Sequence, residues 1–501
     1  MVFLAVAAVV SGFLVWWATA PWGPGLSPDA IAYAAIAESV RDSGEIGYWL
    51  EPAASSWPPL FPVLLASASV LLDVSVVDAG RILNVGCQML TVVAVGVLGR
   101  RLLADRWLVV IAVVTASVAQ PLVYVAVKVW SEPLFNVFVL FAALALSGVP
   151  GRRATIRLVG ASALVIGAFM TRYAGLALVP AGVVVLAMWP RDTPIRERVS
   201  RVVWFAVPAT IAAMGLLAWN RWRSGQPFGP RWRPDEPVWN HVADALDAVG
   251  RWFLPMESAR TVAILFGVGV LAAAGLAVAR AVRVGTMDAS PDHRSEVGVT
   301  VVLATIVAAY FAYMVWARTT SGFDPLNSRL MLPIFLPAVL LVLSLVDRLV
   351  AAQNAGPARV AVFALAGVLV TPTVLNGLDE LRTSREIGNE YTNAAVQEFV
   401  ASPVLQQVPD DCALLTNDPW LMWLTGREAQ LTPQQNREVA IPRSMELEEL
   451  APLVGERPTC LVWMATGSTI FFTPDALDEV VDLEEVVTDG FTTIYRVSLG
   501  S

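Results

Sequence analysis

Lysine is nearly missing from these 501 residues: of 34 Lys and Arg, only Lys128 is a lysine. Charge of either sign is scarce, at 15% of residues where a soluble domain has about a quarter. Histidine and cysteine number two and three. Cys87, Cys412 and Cys460 form no CxxC pair and no His-rich spacing accompanies them, which argues against a zinc site. The net charge of −8 and the lack of a basic domain argue against nucleic acid as a partner.

Apolar sequence fills the place of the missing charge. Hydrophobic residues make up 56% of the chain, and mean hydropathy is +0.62. Segments long enough to span lie near 2–20, 78–99, 107–127, 132–149, 158–171, 174–189, 201–219, 260–280, 298–317, 330–346 and 358–377. The expected fold class is therefore a polytopic α-helical membrane protein of about 11 transmembrane helices. The first segment has no basic leader and reads as an uncleaved span. Those at 158–171 and 174–189 are short and abut at "MTRYAG", as in a broken hairpin. "PPLFPVLLASASVLL" is too short to span and reads as an interfacial or re-entrant helix.

Arginines in "GRRLLADR", "GRRATIR", "RDTPIRERVSR" and "RAVRVG" fall in alternate loops, which the positive-inside rule makes cytoplasmic. Residues 21–77, the Lys128–Ser131 turn, 220–259 and 318–329 then face outward. Two domains are expected: a membrane domain at 1–378 with a first outer loop at 21–77, and an extracytoplasmic α/β domain at 379–501. In the latter, strand-like "CALLTN", "CLVWMA", "LEEVVT" and "TTIYRV" alternate with helix-like segments. Cys412 and Cys460 open two of these strands, where bridged and free thiols both fit.

Polar residues at the outer boundary carry the candidate chemistry. Asp29 follows Ser27 and Pro28, an N-cap and a first helical residue, and shares a helical stripe with Tyr33 rather than with the wet face. Glu132 in "VKVWSEPLF" is a second acid at the same level, with Lys128 beside it. Arg172 and Tyr173 interrupt an apolar run, where a charge is costly and marks function. Arg329 in "NSRLMLP" suits bidentate phosphate contact or a snorkelling anchor. Arg221, Arg223, Arg231 and Arg233 alternate with tryptophans, as a binding loop or an interfacial belt would. "GVGVLAAAG" lies within a span and reads as close helix packing rather than a nucleotide loop.

The ordered set "SPDAIAYAAIAESVRDSG", "WPPLFPVLL", "WSEPLFNVF", "TRYAGLALVP", "NRWRSGQPFGPR" and "NSRLMLP" resembles the GT-C superfamily of membrane glycosyltransferases. More narrowly, it is similar to bacterial relatives of protein O-mannosyltransferases and lipid A aminoarabinose transferases. The resemblance implies transfer of a sugar from a polyprenyl-phosphate donor to an extracytoplasmic acceptor. It places Asp29 and Glu132 as catalytic acids and Arg329 as a phosphate contact. Tyr33, Trp57, Lys128, Arg172, Tyr173 and Arg231 complete the expected substrate site. Trp57 departs from relatives with a basic residue before the double proline. With two clear outer carboxylates and no His cluster, no cofactor or metal is expected. The expected mechanism is inverting: Asp29, its pKa drawn upward by apolar surroundings, is the base and Glu132 orients hydroxyls. A transporter or lipid flippase using Arg172 as an intramembrane ligand is the alternative, and a non-catalytic scaffold a third reading.

Overall fold

A computed structural model describes residues 2–148, 154–189, 193–231, 234–255, 257–284, 291–351, 357–409, 411–435, 445–465 and 470–499. Arg233 and parts of the arginine-rich loops, at 149–153, 190–192 and 285–290, lie outside them. The chain opens with α1 (Val2–Ala18), α2 (Pro28–Ser43), α3 (Leu60–Leu72), α4 (Val76–Leu102), α5 (Arg106–Val118) and α6 (Gln120–Ala126). The bundle continues with α7 (Glu132–Ser147), α8 (Ala154–Thr171), α9 (Leu178–Met188), α10 (Ile195–Ser224), α11 (Val238–Arg251) and α12 (Arg260–Val284). It closes with α13 (Pro291–Thr320), α14 (Ser328–Met331), α15 (Phe335–Ala351) and α16 (Pro357–Ile387).

Among the described residues, seven helical segments are long and apolar enough to cross a membrane. Val2–Ala18, Leu60–Leu72, Glu132–Ser147 and Tyr173–Met188 are apolar but shorter. α3, with 13 residues, is about 20 Å long, against roughly 30 Å of hydrocarbon, and it packs on α2 and α4. The run at 107–127 breaks at Ala119, which is extended (φ −63°, ψ 136°), and α6 restarts with Pro121 in its first turn, where a missing N–H costs no helical bond.

The break at "MTRYAG" is real. α8 ends at Thr171, Arg172 is extended (φ −149°, ψ 136°), and a 3₁₀ turn over Tyr173–Ala177 leads into α9. Gly175 permits the fold-back, since a Cβ there would lie 2.4 Å from the backbone N of Phe169. Gly267 serves close packing as expected, for its Cβ would meet the Leu246 carbonyl oxygen at 2.1 Å.

After α16 a five-stranded sheet forms from β1 (Ala413–Thr416), β2 (Gln430–Leu431), β3 (Thr459–Met464), β4 (Asp482–Thr488) and β5 (Thr492–Ser498). Its order is β2-β1-β3-β5-β4, parallel across the first three and antiparallel across the rest. The four expected strands are present, and the two-residue β2 is additional. Cys412 and Cys460 are bridged, joining neighbouring strands. The sheet region touches the first loop directly. Tyr391 N donates to Leu26 O at 2.8 Å, and Trp49 Nε1 donates to Ala429 O at 3.0 Å.

Candidate active site

Four segments converge on one ion-pair chain. Ser27 caps α2 by accepting from Ala30 N, and the same Oγ accepts from Trp130 Nε1 at 2.7 Å. That second bond ties the start of α2 to the turn preceding α7, so the first turns of the two helices, with Asp29 and Glu132, are neighbours. Asn327 caps α14 and sets Arg329 between them. Arg329 Nη2 donates to Asp29 Oδ2 at 2.5 Å, and its Nε donates to Glu132 Oε1. Arg172 Nη1 pairs with the same Glu132 oxygen at 2.7 Å and reaches Ser131 Oγ at 3.2 Å. The Arg329 guanidinium lies 3.9 Å from the centre of the Trp130 ring. Tyr33 OH hydrogen-bonds with Ser131 Oγ at 2.9 Å.

The two acids differ in exposure. Glu132 has 2% of its side chain exposed and stands behind the arginines, whereas Asp29 is 34% open. Asp29, Arg172 and Arg329 face a cavity of about 390 Å³ also lined by Tyr33, Trp57, Tyr173 and Arg231. Glu132 does not line it; its Oε1 is the counter-ion that both guanidiniums share. The expectation for the Asp29 pKa reverses. Burial pushes the carboxyl up, but the charge and hydrogen bond of Arg329, with Arg172 and Arg231 beyond, hold it below its ordinary value.

Lys128 is absent from the cavity. Its Nζ pairs with Glu390 at 2.8 Å and lies 3.5 Å from the Tyr124 ring centre, so its charge is already matched. Its place is a clasp between the α6–α7 turn and the segment after α16.

Sequence reading passed over several residues. Glu51, 8% exposed, accepts through Oε1 from Ser55 N, Ser55 Oγ and Ser56 N at 2.6–3.0 Å. The turn it holds presents Ser55 O to Tyr173 OH at 2.6 Å, and Tyr173 OH accepts from Asn220 Nδ2 at 2.7 Å. Arg231 Nη2 donates to Ser56 O at 3.4 Å. Asp324 also lines the cavity; burial, then the nearby Asp29, raises its carboxyl pKa against the pull of Arg329. Among the described residues, three candidate metal ligands gather only at Glu236, His241 and Asp244, none of which lines the cavity.

No known protein family matches the sequence, and no curated protein matches it. Solved structures do. The apo structure of ArnT from Cupriavidus metallidurans superposes with a TM-score of 0.64 at 15% identity, covering 98% of this chain and 97% of that one. The Archaeoglobus fulgidus oligosaccharyltransferase, in complex with Zn and sulfate, gives 0.58 at 11%, covering 98% and 73%. The mycobacterial arabinofuranosyltransferase AftD gives 0.56 at 15%, covering 99% of this chain and 40% of its own. The fold is GT-C.

These three structures are each aligned over at least 98% of this chain. One ArnT structure is bound to undecaprenyl phosphate, and one archaeal structure holds dolichol-phosphate and an inhibitory peptide. These ligands belong to those proteins. In this chain, Asp29, Tyr33, Trp57, Arg172, Tyr173, Arg231 and Arg329 share one cavity, with Glu132 one contact behind it and Lys128 outside.

Proposed function

We propose that the chain is an inverting glycosyltransferase that moves a sugar from a polyprenyl-phosphate donor to an extracytoplasmic acceptor. The observation that carries this reading is Arg329, which bridges Asp29 and Glu132 at the edge of an aromatic-lined cavity. A donor phosphate is a strong competitor for such a guanidinium, because it can accept bidentate hydrogen bonds. Phosphate seated on Arg329 and Arg172 displaces the Asp29 carboxylate and relieves the charge that keeps its pKa low. Asp29 becomes a better base at the moment the donor arrives.

The displacement then balances. The acceptor hydroxyl oxygen bonds to the anomeric carbon while its proton passes to Asp29. The bond from that carbon to the phosphate oxygen breaks, and its electron pair stays on the phosphate. Arg329 and Arg172, aligned by buried Glu132, stabilise the growing charge. In this reading the guanidiniums supply the positive charge, and no metal is assigned to the centre. Tyr33, Trp57 and Tyr173 offer ring faces and hydroxyls for the sugar. The segment at 379–501 is read as an extracytoplasmic domain, a reading supported by the Cys412–Cys460 bridge, which suits an oxidising compartment.

Binding of undecaprenyl phosphate to purified protein tests this reading without knowledge of the sugar. Arg329→Gln should weaken binding at least ~10-fold, the scale of one lost charge-assisted contact. Asp29→Asn should strengthen it, because a neutral amide competes less for Arg329. Affinities unchanged in both variants would remove phosphate from this site. A transporter or flippase would instead move labelled lipid-linked sugar across a vesicle membrane without forming product.

A further inference from the structure

We infer that Glu236, His241 and Asp244 form a divalent-metal site at the start of α11, separate from the Asp29 centre. The inference does not rest on the sugar-transfer reading. Candidate ligand atoms of the three residues lie within 4.8 Å of one another. His241 and Asp244 are one turn apart on α11 and share a face, and Glu236 sits just before the helix starts.

The observation that points to a ligand is the imidazole. His241 is fully buried, yet among the described residues neither Nδ1 nor Nε2 has a hydrogen-bond partner. Buried polar atoms are nearly always satisfied, and an unshared nitrogen pair beside two carboxylates is what a metal ion accepts. The carboxylates retain oxygens to give. Arg260 Nη2 takes only Oδ1 of Asp244, at 2.5 Å, in an exposed pair. Arg318 Nη2 stays 3.7 Å from Glu236 Oε1, too far for a hydrogen bond.

One imidazole with two carboxylates suits Zn²⁺ or Mn²⁺ rather than a soft ion that wants thiolates. The two arginines already offset both carboxylates, so they lower the affinity, and Arg260 becomes a handle on it. Arg318 lies in the last turn of α13, from which the chain passes into Ser321–Asp324 on the cavity wall. The arrangement escapes a search for paired Cys or His, which is why the sequence argued against zinc.

The test uses tag-free, full-length protein in detergent, stripped with a chelator and titrated with Zn²⁺ alone, then with Mn²⁺. Wild type should bind about one equivalent, and His241→Ala should lose it. Asp244→Asn should weaken binding at least ~10-fold, as loss of a ligand group does. Because His241 is buried and its variant can misfold, Arg260→Gln provides the second arm. It frees the other Asp244 oxygen and should tighten binding several-fold. Failure of wild type to take up either ion overturns the proposal, as does uptake unchanged in both Asp244→Asn and Arg260→Gln.

Discussion

Arg329 touches Asp29 through one nitrogen and Glu132 through another, so replacing it alters two carboxylates at once. Arg329→Lys keeps the charge but not the fork, and turnover should fall at least ~10-fold although the protein folds. Arg329→Gln leaves buried Glu132 with Arg172 alone and should cost about 3 kcal/mol of stability. Part of that loss depends on pH. The Asp29 carboxyl titrates below its ordinary value of 3.8, so its pairing stabilises the fold above about pH 4 and fades as pH falls through the folded pKa. Thermal melts should therefore show a wild-type advantage over Arg329→Gln that is full at about pH 6 and narrows in stronger acid. A gap independent of pH would mean that Asp29 does not draw on Arg329. At this scale the sequence showed Asp29 and Arg329 as polar residues at helix starts. It could not show that they meet, because they lie 300 positions apart and no local pattern encodes the contact. Asp324 and Glu51 stayed hidden for a different reason: each sits in a loop, where no helical or strand period shows which side chains meet the cavity or hold its wall.

Helices were the most legible elements, since a run of some twenty apolar residues has few other places to go. Their interruptions were legible only where chemistry announces them. A charge at Arg172 marked one break, and a proline marks the α5–α6 break. The two-residue β2 left no pattern to read, being recruited by β1 through two backbone pairings. Gly175→Ala tests whether the Arg172 break shapes the site. The added methyl meets backbone rather than a flexible side chain, so the 3₁₀ turn must shift and carry Arg172 away from Glu132. Turnover should drop with kcat rather than KM, and stability should fall by about 1–3 kcal/mol. Wild-type kinetics in a folded Gly175→Ala protein would make the break incidental.

Over the whole molecule, the segment after α16 is tied to the first loop by backbone pairing at Leu26 and to the α6–α7 turn by Lys128 with Glu390. Lys128→Met should lower the melting temperature while leaving turnover of folded protein unchanged, because the side chain does not reach the cavity. The Cys412–Cys460 bridge closes a separation of 48 residues, which the chain-entropy estimate values at about 4 kcal/mol. Cys412→Ser should destabilise the sheet by up to that amount, and a mass measurement without reductant should show the wild-type pair oxidised. Composition announced the membrane bundle and alternating strands announced the sheet, but their mutual docking rests on contacts such as Trp49 to Ala429 that no pattern reveals. The central claim is that Asp29 acts as base on a lipid-linked sugar held by Arg329. Its most direct test is product formation by wild type and Asp29→Asn with a panel of polyprenyl-phosphate sugars. The account predicts transfer, or slow hydrolysis, by wild type and a loss of at least ~100-fold in the variant, with the lipid still bound. Equal turnover by the two proteins would contradict it, leaving Asp29 as a helix-start residue and nothing more.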